Sequence, residues 1–289
     1  MSTLHPPLRP EFERDPPPLQ ALSLPRPLNP ARRLWEQDWL RRLVILLALA
    51  GLWEAAARLH DNELLLPTFT ATLRAFVEGF ASGELVARTR ISLSVLLQGY
   101  ALGVLSAFLL TTLAVSTRIG RDLLSTLTSM FNPLPAIALL PIALLWFGLG
   151  AKSLIFVIVH SVLWPLALNT FAGFQAVPET LRMAGRNYGL TGLRYVWQIL
   201  VPAALPAILS GMKIGWAFAW RTLIAAELVF GATSGKGGLG WFVFQNRNEL
   251  YTDRVFAGLA TVILIGLVVE SLVFQTLERV TVRRWGVQR

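Results

Sequence analysis

No cysteine occurs among the 289 residues, so disulfides and thiolate-held metals are excluded and the redox compartment stays open. Histidine is also scarce, with three copies, and no cluster of His, Asp and Glu has the spacing of a metal site. No nucleophile stands beside a recognisable base, which disfavours an enzyme. Charged residues make up only 15% of the chain and apolar ones 54%. The mean hydropathy of +0.55 lies outside the range of an ordinary soluble protein. The short alternating runs of a membrane β-barrel are missing as well.

What is present is apolar and clustered. A helix needs about 20 mostly apolar residues to cross a hydrocarbon core roughly 30 Å thick. Five or six stretches qualify, which predicts an all-α polytopic membrane protein with about six transmembrane helices. The net charge of +9 would suggest nucleic acid in a soluble protein. In a membrane protein the same excess sets topology, so lipid is the expected partner and nucleic acid is not. Residues 1–40 stand apart, with nine of the 17 prolines between Pro6 and Pro30. Such a segment cannot bury a core and is expected to be a disordered or extended tail, or a docking arm for a partner. It lacks the apolar stretch of a cleaved export signal.

The first span is read from about Leu43 to Leu59, with Glu54 and Arg58 near its far end. Pro67-Thr68 then opens a small amphipathic helix through Phe69–Phe80. The second span covers about Ile91–Val115, where Gly99 and Gly103 have small-xxx-small spacing. The third, about Leu123–Phe147, is interrupted at Asn132-Pro133-Leu134-Pro135 and again at Pro141, so it should be broken or kinked. The fourth covers about Leu154–Phe174, the fifth Ala207–Phe230 and the sixth Val255–Leu277. With the N-terminus inside the cell, sixteen Lys and Arg fall on the inner side and eight on the outer. That bias predicts two cytoplasmic termini, including a basic tail at 281–289, and a cytoplasmic segment at 175–206.

This last segment, PETLRMAGRNYGLTGLRYVWQILVPAALP from Pro178, is polar, patterned and flanked by apolar runs. Pro178 and Glu179 suit a helix start. Arg182 and Arg186 lie four apart on one face, and Ala184-Gly185 makes a small patch. Gly189 is a natural left-handed stop, with a second short helix from Leu193 to Ile199 ended by Pro202. On residue chemistry alone this is either a helix at the lipid headgroups or a surface that receives a partner.

The spacing resembles the "EAA" loop of binding-protein-dependent ABC transporter permeases: Glu-Ala-Ala, three residues, Gly, nine residues, Ile-x-Leu-Pro. Met183-Ala184-Gly185 stands at the triad, and Gly189, Ile199 and Pro202 fall at their required places, with Val201 where leucine is usual. Met183 replaces the glutamate. NPLPAIALLPIALLWFGLG at 132–150, VPAALPAILSGMKIG and IAAELVFG are similar to the nitrate, taurine and alkanesulfonate branch. The resemblance implies a type I importer permease domain at 41–280 and a coupling loop at 176–202 that contacts an ATPase. It implies further partners: a cytoplasmic ATPase dimer carrying ATP and Mg, a second permease subunit (a homodimer favoured) and an extracytoplasmic solute-binding protein. The coupling residues would be Arg182, Met183, Ala184, Gly185, Arg186, Gly189, Ile199 and Pro202, in a multi-pass protein of the bacterial inner membrane that carries a small anion such as nitrate, sulfonate or taurine.

This chain itself has no phosphate-binding loop. The nearest pattern, Gly231 to Gly237, is one residue short and has Gly237 in place of the hydroxyl. It reads instead as an outer loop. Ionisable groups inside spans tend to face a cavity or a partner. Arg221, beside Trp216 and Trp220, suits either an oxyanion in transit or an ion pair with Glu227 or Glu270. His160 and Glu227 are either pathway or packing residues, and Pro133, Pro135 and Pro141 are expected to border the path. Lys213 is expected to reach the headgroups, and Asn169 and Gln98 to bond between helices. A self-sufficient secondary transporter or channel is the alternative.

Overall fold

The computed structural model describes residues 37–230 and 237–283. The Pro-rich segment before residue 37, the glycine-rich pattern at 231–236 and the last six residues lie outside these. The chain divides at Leu52 and Trp53 into two compact units. Every regular element among the described residues is helical. This is the outcome expected where no water is present to satisfy free backbone groups.

The first unit contributes the opening turns of α1 (Asp38–His60). Its Leu43, Ile45, Leu46, Leu47 and Leu49 are exposed, as suits a helix surrounded by lipid. In the second unit, the remaining turns of α1 meet α2 (Phe69–Ala81). Thr68 caps α2 by accepting from Ala71 N at 3.1 Å, and Glu54 accepts from Thr70 N at 3.0 Å. A hydroxyl and a carboxylate thus satisfy donors that the first turn leaves open. The amphipathic helix read from Pro67-Thr68 is present.

α3 (Glu84–Ser116) and α6 (Ala151–Gln175) pack side by side, and α6 packs in turn on α9 (Leu205–Phe230). Gly99 and Gly103 make the first contact possible. A Cβ at Gly99 would lie 2.7 Å from Ile158 Cβ, and one at Gly103 would lie 2.7 Å from Val162 Cβ. The small-residue spacing read in the sequence is therefore a backbone approach. Leu96, Ala107, Val157, Ile158 and Leu223 close the core around it.

Among the described residues, four helices are long and apolar enough to cross a membrane, and up to six spans result if each of two bent pairs counts as one. The first pair is α4 (Arg118–Phe131) and α5 (Leu140–Phe147), bent by 90° across residues 132–135 and a short 3-10 turn at Ala136–Leu139. Pro133 and Pro135 lie in the break. Pro141, expected to interrupt the span a second time, sits in the first turn of α5, where no backbone donor is needed. The second pair joins the helix at Gly192–Ala203 to α9 with an 80° bend. α10 (Leu239–Asn248) and the last long helix, α11 (Thr252–Thr281), complete the unit.

Three side chains depart from their sequence reading. Asn169 donates to Pro165 O at 2.7 Å, and Gln98 donates to Ser94 O at 3.0 Å, each within its own helix. Each side-chain amide lies one turn beyond the carbonyl it uses, so its own helix supplies the acceptor. Lys213 pairs with Glu270 on α11 instead of reaching outward for headgroups. An acid on the facing helix offers a nearer partner than the membrane surface.

Candidate functional site

Polar chemistry gathers in two places. The first is the hairpin of α7 (Glu179–Asn187) and α8 (Gly192–Ala203). Gly189 holds φ at +72°, and Leu190 N donates back to Gly185 O at 3.0 Å, which closes α7. A Cβ at Gly185 would lie 2.9 Å from Ile199 Cγ1 and 3.2 Å from the Tyr195 ring. Gly185 is therefore the contact at which α7 lies on α8. The spaced glycine, glycine and isoleucine of the sequence are one packing device.

α8 contains a widened π turn at Val196–Leu200 and ends at Ala203, one residue beyond Pro202. Pro202 was expected to stop the helix. The wider turn instead takes up the missing N–H and the ring clash, so the helix continues through it. The two arginines of α7 also part company. Arg182 is 23% exposed and turns inward, its Nη2 donating to Phe174 O at 2.6 Å and its Nε to Val177 O at 3.1 Å. It thereby ties α7 to the C-terminal carbonyls of α6, where a cation is favoured. Arg186 is 67% exposed, and Met183 is 55% exposed. Met183, Ala184, Arg186 and Tyr188 form the free face.

The second place is a cavity of about 390 Å³ at the break between α4 and α5. Asn132, Pro133 and Pro135 form one wall, His160, Trp164 and Asn169 of α6 another, and Phe218 and Thr222 of α9 the third. Three of the residues read as pathway-lining, Pro133, Pro135 and His160, are thus brought together. Pro141 does not reach this cavity. Trp164 stacks on Phe131 with centroids 5.5 Å apart, and His160 stands edge-on to both rings.

Arg221 is exposed, and its Cζ lies 6.0 Å from the ring of Phe218 on the cavity wall. Neither acid weighed as its partner reaches it: Glu270 pairs with Lys213, and Glu227 is held elsewhere. Trp220 is buried and donates Nε1 to Val262 O at 3.3 Å, which fastens α9 to α11. Glu227 is 3% exposed. It accepts from Ser92 Oγ at 2.8 Å and from Gly240 N at 2.8 Å, while Ser92 Oγ accepts from Leu239 N at 2.9 Å. A carboxylate on α9 and a hydroxyl on α3 therefore cap the N-terminus of α10 from outside it. A Cβ at Gly238 would fall 2.1 Å from Ser92 Oγ and 2.3 Å from Glu227 Oε1, so only glycine fits there.

Sequence reasoning missed Trp164, Phe218, Thr222 and Ser92. Trp164 had a usable signal, since it follows His160 by four residues and shares its helix face. Ser92 had none, because its partner is 135 residues away.

A polar cavity beside a broken span, inside a bundle of apolar helices, defines the class as a polytopic membrane transport protein. Comparison with known proteins gives the family. The chain belongs to the binding-protein-dependent transport system inner membrane components, whose family pattern matches residues 99–282. That stretch contains the broken span, the hairpin and α10. A candidate ABC transporter permease protein of Methanocaldococcus jannaschii is 31% identical over 238 residues, 80% of this chain and 88% of the relative. A candidate aliphatic sulfonates transport permease protein of Escherichia coli is 30% identical over 251 residues, 86% of this chain and 94% of the relative. The nitrate import permease protein of Synechocystis is 27% identical over 255 residues, 86% of this chain and 91% of the relative. The family and branch resemblances read from the sequence are thus met, and nothing favours a self-sufficient secondary transporter.

Proposed function

We propose that this chain is the permease subunit of an ATP-driven importer that carries a small anion such as nitrate, a sulfonate or taurine across the inner membrane. The observation that carries the coupling part is the α7–α8 hairpin, fixed inwardly by Gly185 on Ile199 and by Arg182 on α6, and free on its Met183 and Arg186 face. An ATPase dimer docks on that face. Movement there reaches α6 through Arg182 and α9 through the 80° bend. ATP and Mg are bound by the ATPase and no cofactor by this chain. Both termini are cytoplasmic, including the Pro-rich segment 1–40 and the basic tail, which follows from the arginine distribution. A second copy of the permease completes the solute path, and an extracytoplasmic binding protein delivers the solute.

Within the pathway, the reading rests on the broken span and on Arg221. An exposed guanidinium at membrane depth faces a path or a partner more readily than lipid. The likeness to a sulfonate permease and a nitrate permease supports an anion as solute. Affinity purification of the tagged chain from its native membrane tests the whole assignment. An ABC ATPase is expected in the purified complex, with hydrolysis stimulated by the binding protein. A chain that transports alone, with no ATPase present, contradicts it.

A further inference from the structure

Three contacts are spaced along α3, each to a different part of the molecule. At its hairpin end, the Phe108 ring stacks on Trp197 of α8, with centroids 5.2 Å apart and planes 26° from parallel. Midway, Tyr100 donates its hydroxyl to Met212 O of α9 at 2.9 Å and meets the Trp216 ring edge-on. At the far end, Ser92 Oγ donates to Glu227 of α9 at 2.8 Å and accepts from Leu239 N of α10 at 2.9 Å. One turn beyond, Arg88 Nη1 donates to Gly237 O at 3.0 Å. Ser92 and Phe108 each lie eight residues from Tyr100, about 12 Å along the axis. α3 is one helix of 33 residues without a proline, so it moves as a rod.

We infer that Trp197 is a positioning residue for coupling: it passes the position of the α7–α8 hairpin through α3 to the first turn of α10, at the far end of the span. The inference rests on the reading of the hairpin as the element that receives the ATPase. Close approach at Gly99 and Gly103 fixes the middle of α3 against α6, and the Tyr100 bond fixes it against α9. A displacement at Phe108 therefore turns α3 about that middle, and equal arms deliver it to Ser92 undiminished. The far end is sensitive to such a movement. An O–H···O bond spans about 2.5–3.0 Å. Helix shifts in switching proteins are about 1–2 Å, more than the Ser92–Glu227 bond tolerates. Ser92 is the shared group there, so its withdrawal frees Leu239 N and one acceptor of Glu227 together. α9, which carries Glu227, is itself joined to the hairpin by the 80° bend. The clasp on α10 thus compares two rods that both start at the hairpin. Val115 of α3 also meets an apolar cluster of α8, which α6 and α9 share, whereas the Trp197 stack joins α8 to α3 alone.

The test is hydrogen exchange in the purified complex with its ATPase, held in lipid nanodiscs, with and without a non-hydrolysable ATP analogue. The analogue is expected to change exchange at residues 239–243 about fivefold or more, the range of coupled sites. Trp197→Ala and Phe108→Ala should each remove that response, while the ATPase stays bound and residues 180–190 still answer the nucleotide. Trp197→Phe keeps a ring on Phe108 and should retain the response, as should Trp197→Phe combined with Phe108→Trp. A response at 239–243 that survives in Trp197→Ala overturns the inference. So does its loss in Trp197→Ala with none in Phe108→Ala, which is the pattern of a tryptophan anchored at the headgroups. A complex that holds its ATPase but whose residues 239–243 ignore the nucleotide overturns the inference and leaves the importer assignment standing. A chain purified without any ATPase contradicts the assignment itself, and the inference with it.

Discussion

Gly185→Leu is expected to break coupling between ATP hydrolysis and transport while leaving the apolar spans assembled. A side chain at this position starts with a Cβ 2.9 Å from Ile199 Cγ1 and 3.2 Å from the Tyr195 ring, before its outer carbons are placed. Inserting that volume into a packed contact costs about 1–3 kcal/mol. The hairpin relieves it by opening, since α7 is a surface helix with few other buried residues. A bias of that size lowers the population of the docked hairpin about 5- to 150-fold. Solute-stimulated hydrolysis in reconstituted vesicles should fall accordingly, with the chain still inserted and monodisperse. Adding Ile199→Ala to Gly185→Leu returns space at the contact and should recover part of the activity. Unchanged stimulation in Gly185→Leu would mean that the hairpin does not transmit anything.

Glu227→Ala should produce the largest loss of local stability. Two buried donors, Gly240 N–H and Ser92 O–H, lose their acceptor at once. An unsatisfied buried donor costs about 1–3 kcal/mol, so the pair amounts to about 2–6 kcal/mol. The penalty falls on the docking of α10, whose first turn then keeps only the Ser92 hydroxyl as a side-chain cap. Hydrogen exchange at residues 239–243 should accelerate strongly, and that of the α3–α6 core much less. Glu227→Gln is the informative control. Its carbonyl can still accept from Gly240 N, whereas its amide can only donate to Ser92 Oγ and leaves the hydroxyl proton without a partner. An intermediate loss is expected, and equal exchange in all three proteins would show that the carboxylate does not hold α10.

These effects differ in how far the sequence announces them. The α7–α8 hairpin was legible because its residues act at short range: Gly185, Gly189 and Ile199 lie within fifteen positions, with the helix stop between the two that touch. The Gly99 and Gly103 contact was legible for the same reason, although its partner helix was not. Arg182 and Arg186 show the limit of such reasoning. Four-residue spacing puts them on one face, and the carbonyls at the end of α6 then capture the first and leave the second exposed, 3.9 Å from Glu179. Glu227 and Ser92 are further still beyond sequence reach, because a cap supplied from two other helices depends on tertiary packing alone. The cavity lies between these extremes. Pro133 and Pro135 marked the break, but its facing wall of Trp164, Phe218 and Thr222 comes from helices whose rotation the sequence does not set.

The absence of cysteine allows the central claim, an ATPase docked on the α7 face, to be tested at one position. Met183→Cys places a single thiol on that exposed face. In inside-out membrane vesicles containing the whole complex, this thiol is expected to crosslink to the ATPase and to be shielded by it from maleimide. Labelling that proceeds equally with and without the ATPase, or only from the outer side of the membrane, would contradict the account.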